Sequence, residues 1–92
     1  MTEREFWRLQ RTLAFEFSKY VLAHPEIDAD IPEGAQVVFL LHGDEHFNTL
    51  SRRHAAPQHE KGQPIVFVRV KGLRPPLESR LISPELELAK RF

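Results

Sequence analysis

The sequence predicts an α/β fold, a single small domain of α-β-α-β order with a short parallel sheet and a C-terminal helical tail. Three observations carry this expectation: an amphipathic helical stretch over residues 2–23, two apolar runs of strand length at Gln36–Leu41 and Ile65–Val70, and the chain between them. Antiparallel neighbours need only a tight turn, whereas parallel ones need a crossover of roughly a dozen residues or more, usually helical. Residues 42–64 are long enough for the crossover.

The first helix is predicted from its start signals. Thr2 is placed to cap it, Glu5 three residues later completes a capping box, and Glu3 suits the positive end of the helix dipole. Phe6, Leu9, Leu13, Phe17, Tyr20 and Val21 fall within about 120° of one another, the width of a stripe that faces a core. His24-Pro25 ends the helix, because proline restricts the residue before it and has no N–H to continue the ladder. Ile31-Pro32-Glu33-Gly34 reads as a type I turn leading into the first strand.

Neither strand run alternates, which predicts burial on both faces, the habit of parallel strands. In the crossover, Asp44 or Asn48 is placed to cap a helix on which Phe47, Leu50 and His54 share a face, and Lys61-Gly62 reads as its end. Pro57 leaves two forms open: the helix ends near Ala55 and Pro57 opens a short turn, or one helix kinks there. Arg74-Pro75-Pro76 reads as an extended connector, residues 77–82 take no assignment, and Ser83-Pro84-Glu85 predicts a terminal helix from Pro84. The expected division is one domain over residues 1–92, with its core in 2–70 and an extension over 73–92.

Ninety-two residues suffice for one modest core, with roughly 65% of the unfolded surface buried. Thirteen basic and thirteen acidic residues give zero net charge, so no global field draws the chain to nucleic acid or anionic lipid. The absence of cysteine excludes disulfides, thiolate nucleophiles and cysteine-based metal centres. No apolar run reaches the length of a signal sequence or membrane span, so a cytoplasmic protein with no membrane partner is expected.

His24-Pro25-Glu26, Ile31-Pro32-Glu33-Gly34-Ala35 leading into Val37-Val38-Phe39-Leu40, and Lys61-Gly62-Gln63-Pro64 leading into Ile65–Val70 together resemble a small uncharacterised prokaryotic α/β domain family of unknown function. The resemblance covers residues 5–70. It implies the fold and no activity. The crossover departs from an uninterrupted charged helix by Pro57 and several histidines.

Four of the five histidines lie between the two strands. In open parallel sheets ligands collect beyond the carboxyl ends of strands, which is where His42-Gly43-Asp44-Glu45-His46 falls. Gly43 permits close backbone approach; His42, Asp44 and His46 supply nitrogen and oxygen donors for a metal, and the following helix amides suit a small anion. A solvated loop with an aspartate cap explains the same residues without any ligand. His46 and His54 stand about 80° apart around the helix, too far for an ideal shared site. His54 reads as a core-edge residue, His24 as a cap on the first helix, and His59 as a surface residue.

Arg4, Arg8 and Arg11 lie opposite the main stripe of the first helix with Phe15 and Leu22, while Trp7 and Ala14 sit toward one flank. Arginine interleaved with large apolar residues is what protein interfaces use. Folding of the terminal segment with Leu86, Leu88 and Phe92 over this patch is the intramolecular alternative. Acidic residues on the same helix and the absence of an aromatic strand motif weigh against nucleic acid. No glycine-rich phosphate loop or nucleophile elbow is present, so no cofactor and no catalytic residue is expected. The leading expectation is a non-catalytic protein-interaction or self-associating module, a homodimer in its simplest form, joined through Trp7, Arg8, Arg11, Phe15 and Leu22. The alternative is a small-ligand, metal-binding or catalytic domain using His42, Gly43, Asp44 and His46.

Overall fold

The computed structural model describes residues 1–75 and 81–91 of the chain. Helix α1 spans Glu3–Ala23, α2 Pro25–Ala29, strand β1 Gln36–Leu41, helix α3 Glu45–Ala55 and strand β2 Ile65–Val70. A 3₁₀ turn at Ala56–Gln58 follows α3. The order α-β-α-β holds, with α2 as an addition.

α1 begins where its capping signals place it. The Thr2 hydroxyl accepts from the Glu5 N–H at 3.1 Å and donates to the Glu5 carboxylate at 3.2 Å, so residue and cap are tied twice. Phe6 and Leu13 are buried, and Leu9, Phe17 and Val21 are partly so. Tyr20 departs from the expected stripe: it is 52% exposed, and its ring stacks on His24 at 4.0 Å instead of entering the core. The helix stops at Ala23, with His24 Nδ1 lying 2.9 Å from the Tyr20 carbonyl oxygen. Pro25 then opens α2, which the sequence reading did not foresee; proline at a first helical position loses no hydrogen bond.

The turn before β1 falls one residue later than expected. Ala35 N–H donates to the Pro32 carbonyl at 3.1 Å, which puts Gly34 at the third turn position with φ of +74°. A type II turn requires that conformation, whereas a type I turn over residues 31–34 does not.

β1 and β2 are adjacent and parallel, in register from Gln36 against Ile65 to Leu41 against Val70. Gln36 N–H donates to Pro64 C=O and His42 N–H to Val70 C=O, both at 2.8 Å, extending the ladder at each end. One face carries Val37, Phe39 and Leu41 beside Val68 and Val70, packed into a core of Phe6, Leu13, Phe39 and Phe47. Phe17 meets Phe39 edge-on at 5.6 Å between ring centres.

The expectation of two-sided burial holds for β1, whose Val38, Phe39 and Leu40 are all buried. It fails for β2, where Val66, Val68 and Val70 are half-buried but Ile65, Phe67 and Arg69 are exposed. The reason is position. β1 lies between β2 and α3, while among the described residues the sheet has two strands and β2 is its outer one.

α3 is capped by Asp44, whose Oδ1 accepts from Phe47 N–H at 2.9 Å, so Asn48 is left for another task. Asn48 and Ser51 face β1 and bond its backbone at Leu41 and Phe39. Of the two forms open at Pro57, the helix ends at Ala55 and Pro57 sits in the 3₁₀ turn. Lys61-Gly62 is not a helix end but part of a turn closed by Gln63 N–H on Glu60 C=O. His59 is not a free surface residue: it is half-buried, with Nε2 2.8 Å from the Gln63 carbonyl oxygen.

Residues 81–91 form no helix, correcting the one expected from Pro84, and Leu86 and Leu88 are fully exposed. A helix of so few residues has too little propagation to offset its nucleation unless a packed face supports it, and these leucines have none. They do not cover α1. Residues 77–80 of the unassigned stretch, and Phe92, lie outside the described residues. Among the described residues no helix is long and apolar enough to cross a membrane.

Candidate functional site

The strand-end residues are held by the backbone rather than gathered around a centre. His42 N–H completes the β1–β2 ladder while its side chain stays exposed. Gly43 takes φ of +83°, in a turn closed by Asp44 N–H on Leu41 C=O at 3.1 Å. The Asp44 carboxylate is occupied as the α3 cap, and His46 is exposed with Nδ1 3.5 Å from the Met1 amino nitrogen. Among the described residues no three His, Asp or Glu side chains are grouped so as to hold a metal ion. His42, Asp44 and His46 therefore do not converge as the expected nitrogen and oxygen donor set.

The back of α1 divides into two regions. Arg8, Arg11, Phe15 and Leu22 remain exposed, with Phe15 at 65% and Leu22 at 83%. Lys19 Nζ lies 5.0 Å from the Phe15 ring centre and pairs with Glu16 at 3.0 Å, a surface ion pair of small energetic weight. Trp7 is also exposed, at 39%, but it packs to the side. Its ring packs against Phe6 at 5.0 Å and His54 at 5.1 Å, in the seam between α1 and α3.

That seam is the most densely aromatic place among the described residues. His54 stacks on Phe6 at 4.9 Å with only 12° between the planes, and Phe6 in turn meets Phe47 at 5.2 Å. Glu3 Oε1 stands 3.9 Å from His54 Nε2. Beside these rings lies an open-sided cleft of about 160 Å³, lined by Trp7, Gln10, Gln36, Val38 and His54 among others. The Gln10 Oε1 atom is enclosed and has no hydrogen-bond partner. Sequence reasoning placed His54 at the core edge but missed Gln10. The signal was available: Phe6 and Gln10 are four residues apart and share a helix face, and Trp7 flanks it.

The outer edge of β2 is the second feature the sequence did not single out. Even-numbered β2 residues direct their backbone groups toward β1, as the Val70 and Pro64 carbonyls show, so Ile65, Phe67 and Arg69 direct theirs outward. Ile65 is 49% and Phe67 44% exposed, although their partners across the ladder, Gln36 and Val38, are half-buried and buried. Arg52 of α3 reaches over the Phe67 ring at 5.7 Å.

A protein-family model described as a family of unknown function (DUF5647) matches residues 6–84, so the chain belongs to that family. No curated protein matches the chain. No solved structure matches it.

Proposed function

We propose that this DUF5647 member is a non-catalytic self-associating module, in which β2 of one copy pairs with β2 of a second. The observation that carries the reading is the asymmetry of the sheet: α3 side chains bond the free edge of β1, whereas the β2 edge has no such cover among the described residues. Two-stranded sheets are marginal alone, and parallel strands normally have both faces covered. Pairing across a two-fold axis sets the same strand antiparallel to itself, the isologous arrangement commonest in homodimers. Centred on Phe67, it puts Arg69 opposite Ile65 of the second copy and keeps the two arginines from facing each other. The result is a four-stranded sheet that pairs the outward groups of Ile65, Phe67 and Arg69. This moves the expected interface away from Arg8, Arg11, Phe15 and Leu22 on α1, and Trp7 is already engaged with α3.

Sedimentation velocity at micromolar concentration tests the reading. A dimer is expected for the intact protein and for Phe15→Glu, and a monomer for Phe67→Glu with an unchanged far-ultraviolet spectrum. A monomeric wild type at hundred-micromolar concentration overturns it, and so does a dimer lost with Phe15→Glu but kept with Phe67→Glu.

A further inference from the structure

We infer that the open groove between the C-terminal half of α1 and the α2 segment receives the terminal residues 86–90 of a second copy of the chain. The groove has a volume of about 360 Å³ and is lined by Phe17, Ser18, Val21, Leu22, Asp28 and Ile31. Leu22 stands 83% exposed there. Residues 25–35, which flank it, hold Glu26, Asp28, Asp30 and Glu33 with no lysine or arginine among them. Lys19, on the same stretch of α1, is paired with Glu16 and lies over the Phe15 ring. An apolar surface with a polar rim is the mark of an interaction site, and this rim is acidic.

The occupant is read from the other end of the chain. Leu86 and Leu88 are 98% and 102% exposed and residues 81–91 form no helix, so within their own chain these leucines have no face to bury against. Side chains of an extended segment alternate, which puts Leu86, Leu88 and Lys90 on one side and Glu85 and Glu87 on the other. The first side matches the groove, with two leucines for Phe17, Val21, Leu22 and Ile31 and then a lysine for Asp28. Among the described residues neither Asp28 nor Lys90 has a salt bridge. The second side keeps Glu85 and Glu87 in water, away from the acidic rim. Exchange of an identical segment between protomers is a low-cost route to association. It needs a second copy but neither edge of the sheet, so it adds to β2 pairing without competing with it.

The chain has no cysteine, so Ala89→Cys carries a single nitroxide, on the side that faces away from the groove. Spin-labelled chain without isotope is mixed with isotopically labelled wild type, so that paramagnetic broadening arises only between copies. The amides of Val21, Leu22, Asp28 and Ile31 are expected to broaden selectively. Leu86→Ser with Leu88→Ser in the spin-labelled chain is expected to return them to background. Lys90→Glu is expected to weaken the contact about two- to fivefold, the effect of one exposed ion pair, and Asp28→Lys in the isotopically labelled copy to restore it. A second sample, with both labels on one chain diluted into unlabelled wild type, reports contact within a chain. Groove broadening in that sample alone gives the groove to the chain's own tail and overturns the inference. No selective broadening in either sample also overturns it and leaves the groove to a different protein. Sedimentation of Phe67→Glu judges the strand pairing separately, so a dimer that persists without groove broadening sinks the exchange alone.

Discussion

Asn48 on α3 grips Leu41 on β1 by both of its backbone groups: Oδ1 accepts the Leu41 N–H at 2.7 Å and Nδ2 donates to the Leu41 C=O at 3.0 Å. A side-chain amide here does what a neighbouring strand would do. Ser51, one turn along the helix, takes the Phe39 carbonyl at 2.7 Å. Buried backbone groups must find partners, and these two polar residues, 8% and 4% exposed, let a helix lie against an open strand edge without leaving it unsatisfied.

Asn48→Leu strands the Leu41 N–H at about 1–3 kcal/mol and removes one of two bonds to the Leu41 C=O, which keeps the Asp44 N–H, worth about 1 kcal/mol, so a loss of about 2–4 kcal/mol is expected. Ser51→Ala, which strands one carbonyl, is expected to cost about 1–2 kcal/mol. Urea denaturation of the two variants beside the wild type measures the difference.

Proline separates the two edges of β2. The Val68 N–H points into the ladder, so Val68→Pro loses a sheet bond and leaves its β1 acceptor unpaired, at a cost of at least about 1–3 kcal/mol. Phe67 N–H points outward, so Phe67→Pro is expected to keep the fold and block strand addition. Circular dichroism melts report the first effect and sedimentation the second.

Gly34→Ala probes the turn. Nothing lies within 4 Å of a Cβ built at this glycine, so the substitution meets no clash and tests the +74° φ alone. A loss of about 1–2 kcal/mol is expected from the left-handed conformation. Thermal melts check it.

His54→Ala removes the ring that stacks on Phe6 and packs at a tilt against Trp7. Each aromatic contact is worth about 0.5–1.5 kcal/mol beyond area burial, so two lost contacts predict a destabilisation of about 1–3 kcal/mol. Trp7 emission is expected to shift to longer wavelength as the indole gains water. An unchanged emission maximum in the folded variant would contradict the packing of Trp7 in the α1–α3 seam.

Helix caps separate by exposure. Asp44→Ala removes the bond to Phe47 N–H beside the fully buried Phe47 ring, whereas Thr2→Ala removes an exposed cap. Cap losses span about 0.5–2 kcal/mol, and Asp44→Ala is expected near the upper end with Thr2→Ala near the lower. Chemical denaturation of both variants in the same buffer ranks them.

Local chemistry made much of the fold legible. Thr2 and Glu5, the Phe6 to Val21 periodicity, His24-Pro25 and the two apolar runs act over one or two turns of chain, and the structure keeps the elements they announce. The Ile31–Gly34 phrase announced a turn but not its register, because glycine suits both the fourth position of a type I turn and the positive-φ third position of a type II turn, and only the bond from Ala35 decides between them. The terminal helix failed for a related reason. Ser83-Pro84-Glu85 is a good start signal, yet a start signal supplies no face to pack, and Leu86 and Leu88 meet nothing.

The sites were less legible. Residue type and position beyond a strand end pointed to His42, Asp44 and His46, but capping already employs Asp44, both histidines are exposed, and among the described residues no three such side chains are grouped to hold a metal ion. Gln10 shares a helix face with Phe6 by its four-residue spacing, but that spacing does not say that its side-chain oxygen ends enclosed without a donor.

By itself the sequence determined the elements α1, β1, α3 and β2, that the two strands lie parallel, and that Phe6 and Leu13 of α1 face inward, because propensity, capping and apolar period are properties of neighbouring residues. Only the tertiary structure decided that α3 seals the β1 edge through Asn48 and Ser51, that β2 keeps Ile65 and Phe67 exposed, and that Gln10 Oε1 is enclosed without a donor. Those outcomes depend on which surfaces meet across the chain, and desolvation and hydrogen-bond satisfaction are settled by that meeting.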